Sequence, residues 1–173
     1  MKKLEGMFSI AIWDKNKERL ILIRDRLGIK PLFYRVNNRG LVFGSEIKAI
    51  KASAFFDKEL DNQAFSEYVW YGNSFGSKTI YKNIKNLPPG HWLIFEKNNL
   101  TIEKYWELEE WFNLPKFDGS KSDLIELFDS NLNKTVKRHY SADVPVSLFL
   151  SGGLDSTAIA YASYKLNCDN KAY

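Results

Sequence analysis

Ser151-Gly152-Gly153-Leu154-Asp155-Ser156 carries the residue types that an anion site requires. Two adjacent glycines remove the Cβ atoms that would keep a ligand off the main chain, so consecutive N–H groups can point at one anion. An apolar strand from Val144 to Leu150 is expected to run into the loop, and a helix from Thr157 to Leu166 to leave it. The start of such a helix adds unpaired N–H donors and a partial positive charge, and Ser151 and Ser156 can add hydroxyl donors. The result reads as a phosphate cradle, yet not a Gly-x-x-x-x-Gly-Lys loop, because no lysine is placed to reach the terminal phosphates. Asp155 would repel a polyphosphate unless a hard cation lay between them, which points to Asp155 as a Mg²⁺ ligand. The plainer alternative is a tight turn at Gly152-Gly153 with Asp155 as a helix-start residue.

The elements that position this loop follow from apolar patterning. Residues 7–13 and 20–23 read as two strands around Asp14-Lys15-Asn16-Lys17, and their lack of clean alternation predicts strands covered on both faces. Leu32–Val36 and Leu41–Gly44 form a second hairpin around Asn37-Asn38-Arg39-Gly40, and His91–Glu96 and Leu100–Trp106 a third around Lys97-Asn98-Asn99. Between them, Asp61–Tyr71 is a helix capped by Asp61, with Ala64, Phe65, Tyr68 and Val69 on its buried face. A polar stretch with breakers at residues 107–122 marks a domain boundary, placed at 108/109. Beyond it, Asp123–His139 is a helix whose buried face carries Leu124, Leu127, Phe128, Leu132, Thr135 and Val136, and Val144–Leu150 is a short buried strand.

Composition excludes disorder and fibrous repeats: of 173 residues 45% are hydrophobic and 27% charged. The lone cysteine, Cys168, has no partner for an internal disulfide, and no charged-then-apolar leader is visible, so a reducing, cytoplasmic setting is expected. Residues 1–51 carry 12 Lys or Arg against 5 Asp or Glu. These cations are dispersed among strands and turns, which argues for a solvated surface and against a nucleic-acid or membrane partner.

Ser151–Ser156 resembles the PP-loop of ATP pyrophosphatases, and with Ser141-Ala142-Asp143-Val144-Pro145-Val146 before it the segment is similar to glutamine-hydrolysing asparagine synthetase. Leu4-Glu5-Gly6-Met7-Phe8, Trp13-Asp14, the run Arg24-Asp25-Arg26-Leu27-Gly28-Ile29-Lys30-Pro31-Leu32 and Ser45-Glu46-Ile47-Lys48-Ala49 resemble the later part of that family's glutaminase domain. Leu87-Pro88-Pro89-Gly90-His91 and Tyr105-Trp106 fit the same pattern. The implied fold is α+β followed by α/β: residues 1–108 as the back half of an Ntn-type layered glutaminase, and residues 109–173 as the first strand-loop-helix of a PP-loop domain. The implied reaction joins aspartate to AMP, expels pyrophosphate, and lets ammonia released from glutamine displace AMP. By matching motifs, Leu150 touches the nucleotide, Ser151, Gly152, Gly153, Leu154, Asp155 and Ser156 hold the phosphates of substrate ATP, and Asp155 binds Mg²⁺. Partners would be small molecules (ATP, aspartate, glutamine or ammonia), with a homodimer of the full-length enzyme admitted.

A glutaminase of this kind needs an N-terminal cysteine, whereas this chain starts Met1-Lys2-Lys3. Cys168 is expected to be an inert thiol, so this chain alone should not hydrolyse glutamine and reads as an internal fragment. His91 and His139 are expected to be structural, Arg24, Asp25 and Arg26 to form ion pairs, and Trp106, Trp111 and Phe112 to pack between domains. Two alternatives stand beside the leading one: a β-lactam-synthetase-like enzyme that adenylylates another carboxylate, and a non-catalytic nucleotide-binding or split-subunit module.

Overall fold

Asp14 makes the first reversal: its carboxylate accepts the main-chain N–H groups of Asn16 at 3.1 Å and Lys17 at 3.2 Å. The chain therefore doubles back, and Ser9–Asp14 (β1) pairs antiparallel with Arg19–Arg24 (β2). In the next hairpin Asn37 accepts from Arg39 N–H at 2.9 Å and Gly40 adopts φ +132°, joining Phe33–Asn37 (β3) to Gly40–Gly44 (β4). Ile47–Lys51 (α1) and Asn62–Tyr71 (α2) follow, then Lys85–Asn86 (β5), which pairs with β3. His91–Glu96 (β6) and Asn99–Lys104 (β7) close the third hairpin through Lys97 and Asn98, both at positive φ, the geometry that matches strand twist in a two-residue turn. Glu109–Phe112 (α3) ends this region.

The computed structural model describes residues 3–168 and 171–172, and its chain divides into two units, Met1–Leu114 and Pro115–Tyr173. The division thus lies six residues beyond the 108/109 boundary read from sequence. In the first unit the strands form two antiparallel sheets, ordered β1-β2-β6-β7 and β4-β3-β5. Leu20 pairs with Phe95 and Leu22 with Leu93, so these four share one face of the larger sheet. That face meets Leu32, Tyr34 and Leu87 to make the core.

Two expectations about coverage are corrected here. β1 is an edge strand, and Ala11, Ile12 and Trp13 are exposed instead of covered on both faces. In α2 the Asp61 cap forms, accepting Ala64 N–H at 3.0 Å, and Gly72 ends the helix at φ +72°. Only Ala64 is buried, however; Phe65, Tyr68 and Val69 of the expected apolar face are about half exposed or more.

In the second unit Lys121–His139 (α4) starts two residues before the expected point, because Ser120 and Asp123 form a reciprocal capping box. Leu154–Lys165 (α5) starts three residues before the expected point, because extended Gly153 serves as its N-cap. The two helices meet through Val136, Ala162 and Ser163, and Ser163 Oγ donates to Tyr140 Oη at 2.6 Å. Leu124, Leu127 and Phe128 of the expected buried face of α4 are exposed. The expected buried strand Val144–Leu150 shrinks to Ser147–Leu148 (β8), parallel to Lys171–Ala172 (β9), with Val144 and Phe149 exposed. One strand neighbour is too little to cover a seven-residue apolar run. The architecture is mixed α/β, and among the described residues no helix is long and apolar enough to cross a membrane.

Candidate functional site

The phosphate-cradle residues lie together on one loop. Gly152 adopts φ +78°, a left-handed conformation that glycine takes without penalty, and a Cβ there would meet nothing within 4 Å. At Gly153 a Cβ would meet only Ser151 Oγ, at 3.6 Å. The main chain between β8 and α5 is thus open to a phosphate-sized group. Thr157 N–H begins the helical ladder on Gly153 O at 3.0 Å, which leaves the preceding N–H groups of the first turn for an incoming acceptor.

The two loop hydroxyls bond within the loop. Ser156 Oγ donates to Gly153 O at 3.0 Å and lies 3.1 Å from Ser151 Oγ. With its single proton on Gly153, Ser156 accepts the proton of Ser151, so both hydroxyls brace the loop. Asp155 sits in the first turn of α5 and is exposed, as are Leu150 and Leu154. A single carboxylate suits Mg²⁺, which takes one or two carboxylates and completes its shell with phosphate oxygens and waters. Among the described residues no group of three or more His, Cys, Asp or Glu is placed to hold a metal by itself, so the fit requires the phosphate.

A second constellation centres on Arg24 and Asp25, whose side chains bond to main-chain groups and to the Asn86 amide. The buried Asp25 carboxylate accepts main-chain N–H groups from Phe8 at 3.3 Å, Leu27 at 3.2 Å, Ile29 at 3.0 Å and Lys30 at 3.0 Å. Burial pushes its carboxyl up, but the N–H groups of Lys30, Ile29, Phe8 and Leu27 outweigh that and hold it below the usual carboxylate range. Arg24 donates to the carbonyls of Gly28, Lys30 and Leu87 and to the Asn86 amide oxygen. Arg26 reaches Leu4 O. Tyr105 Oη donates to Arg24 O at 2.6 Å, and Gly90 N–H to Asp25 O at 2.9 Å. Main-chain groups supply most of these bonds because the 27–30 loop turns its amides inward.

Residues 1–106, which contain this constellation, match the family model described as a glutamine amidotransferase domain. The chain belongs to the glutamine amidotransferase domain family. Residues 127–167 of this amidotransferase chain, which include the Ser151–Ser156 loop, match a second model, asparagine synthase. It is 41% identical over 157 residues to the glutamine-hydrolyzing asparagine synthetase 3 of Bacillus subtilis (strain 168), covering 90% of this chain and 25% of the relative. With asparagine synthetase 2 of the same organism identity is 39% over 167 residues, covering 90% and 22%. The chain therefore spans about a quarter of the length of these relatives. A solved Bacillus subtilis glutamine phosphoribosylpyrophosphate amidotransferase, complexed with ADP and GMP, aligns over 89% of this chain and 30% of its own at 15% identity, with a TM-score of 0.30.

In the amidotransferase region the histidine His91 holds Pro89 O through Nδ1 at 2.7 Å, and in the asparagine-synthase region His139 holds Thr135 O at 2.9 Å, both local braces. Trp106 and Trp111 line an open cavity of about 680 Å³, and Phe112 is exposed. Asn86, Gly90 and Tyr105 join Arg24 and Asp25 from far along the chain, and sequence reasoning missed this role. The signal available was the Asn86-Leu87-Pro88-Pro89-Gly90 turn, but nothing in it names its partner.

Proposed function

We propose that this chain works within an ATP-dependent, glutamine-hydrolysing asparagine synthetase, converting aspartate, ATP and glutamine to asparagine, AMP, pyrophosphate and glutamate. The observation that carries this reading is the order of the two family matches in one chain, amidotransferase at 1–106 and asparagine synthase at 127–167. The open loop at the start of α5 supports it, because its geometry admits a phosphate group.

In this reading Leu150 contacts the nucleotide, and the main-chain N–H groups from Gly152 to Ser156 hold the phosphate oxygens that leave as pyrophosphate. Ser151 and Ser156 belong to the same phosphate-holding loop, and their hydroxyls also keep it in shape. Asp155 holds Mg²⁺, which when bound supplies neutralisation of the phosphate charge. The positive end of α5 favours the build-up of negative charge on the departing group. Substrates are small molecules, and the setting is the cytoplasm.

The test uses the native polypeptide that carries this stretch, supplied with ATP, glutamine or ammonium, and aspartate. Pyrophosphate release should require aspartate and stop when Mg²⁺ is chelated. Asp155→Ala should remove ATP-dependent product formation, by about a thousandfold or more, while glutamine hydrolysis persists. Release of ADP and phosphate in place of AMP and pyrophosphate, or equal loss of both half-reactions in Asp155→Ala, would defeat the proposal.

A further inference from the structure

Asp118-Gly119 stands in the segment that leads into α4, and the sequence holds one Asp-Gly pair and no Asn-Gly pair. Both residues are exposed and lie outside any helix or strand. Among the described residues the Asp118 carboxylate takes part in no hydrogen bond or ion pair, and the Gly119 N–H donates to nothing. Order resumes one residue later, where Ser120 N–H donates to Asp123 Oδ2 at 2.9 Å and the capping box begins.

Asp118 Cγ and the Gly119 nitrogen are linked through Cβ, Cα and the main-chain carbonyl carbon of Asp118, so a bond between them closes a five-membered ring. Closure is opposed where the nitrogen is fixed by backbone hydrogen bonding or crowded by a Cβ on its own residue. Gly119 has neither restraint. A Cβ there would press on the Phe117 ring, so this loop conformation itself calls for glycine. Asp129-Ser130 and Asp155-Ser156 also pair an aspartate with a small residue, but they lie within α4 and α5, where helical dihedrals hold the main chain and a serine Cβ crowds the nitrogen.

We propose that Asp118-Gly119 is a site of spontaneous covalent modification, the conversion of Asp118 to isoaspartate, whatever binds at Ser151–Ser156. The Gly119 nitrogen attacks Asp118 Cγ; the C–N bond forms as the Cγ–OH bond breaks, and the hydroxyl leaves with the amide proton as water. Water then opens the cyclic imide. Attack at the former side-chain carbonyl restores aspartate, whereas attack at the main-chain carbonyl breaks its bond to nitrogen and leaves the chain running through Cβ, with a free α-carboxylate. No oxidant or reductant takes part, and the overall mass is unchanged. The product adds one atom to the main chain just ahead of the α4 cap, and it belongs to the substrate class of enzymes that methylate isoaspartyl carboxylates.

The test ages the native polypeptide that carries this stretch, folded and at neutral pH, beside the free synthetic peptide Phe-Asp-Gly-Ser-Lys. Trypsin cuts after Lys116 and Lys121 and so releases residues 117–121 from the aged protein as that same peptide. A second form of equal mass should appear, and it should accept a labelled methyl group from S-adenosylmethionine through an isoaspartyl methyltransferase. In the folded protein it should accumulate within about fivefold of the rate in the free peptide, because a loop with no bond to break opens at little cost. The peptides that hold Asp129 and Asp155 should gain at least about tenfold less. Gly119→Val, which sets a branched side chain beside the nitrogen, should slow the conversion by about tenfold. The wild-type comparison needs no variant and decides even where Gly119→Val fails to fold. Absence of the second form, a rate more than about fivefold below that of the free peptide, equal isoaspartate at Asp129 or Asp155, or an unchanged rate in folded Gly119→Val would each overturn the proposal.

Discussion

Asp25 shows why a buried carboxylate need not have a cationic partner. Four main-chain N–H groups converge on it, and a carboxylate solvated by oriented amides keeps its charge without water. Replacing it by Asn turns a side-chain N–H toward amides that are themselves donors, leaving at least one of them without an acceptor. Asp25→Asn should therefore cost about 2–4 kcal/mol in urea unfolding. Its acid response also follows from the direction of its shift. A carboxyl held below its unfolded value contributes stability that is present above the unfolded value and is lost as pH falls through the folded one. The wild type should thus hold its stability down to about pH 5 and lose it below about pH 4, and Asp25→Asn should flatten that decline. An unchanged profile in the variant would assign the acid response elsewhere.

Elements inherit their positions from a few turns with restricted backbones. Gly90 adopts φ +67°, donates to Asp25 O and accepts the N–H groups of Tyr105 and Trp106. A Cβ there would press on the Trp106 carbonyl oxygen, a main-chain atom that cannot swing aside. Gly90→Ala should cost about 2 kcal/mol or more, read as a lower urea midpoint of the first unit. The paired glycines before α5 separate strain from ligand access. Gly152 is at positive φ and Gly153 is not, so Gly152→Ala should cost about 1 kcal/mol. Gly153→Val should change stability by less than about 1 kcal/mol, yet abolish pyrophosphate release in the native polypeptide by filling the phosphate approach. Loss of folding in Gly153→Val would show that the loop, and not the ligand, sets the need for glycine there.

Among the described residues, large apolar side chains are exposed on particular faces: Phe65, Tyr68, Val69, Trp70 and Tyr71 of α2, and Phe149 and Leu154 beside the glycine loop. The 20.1 kDa chain in isolation should self-associate with rising concentration in static light scattering, and Trp70→Lys should lower the apparent mass. A concentration-independent monomer would show that these faces do not attract one another. Sequence by itself determined the three hairpins, the Asp61 cap, the main helices and the glycine loop, because turn chemistry, capping and apolar period act over a few neighbouring residues. The motifs also pointed to the two matched families, since their spacing is written in the linear order of residues. What only tertiary structure decided was which apolar faces are covered and what satisfies Asp25. Leu124, Leu127 and Phe128 have the right helical period yet remain exposed, because period marks a face but does not supply the element that packs on it. Arg24 and Asp25 meet main-chain groups of residues 8, 27–30, 87 and 90 and the Asn86 side-chain amide, and such contacts depend on how the chain folds back, which adjacent charges in a sequence cannot reveal.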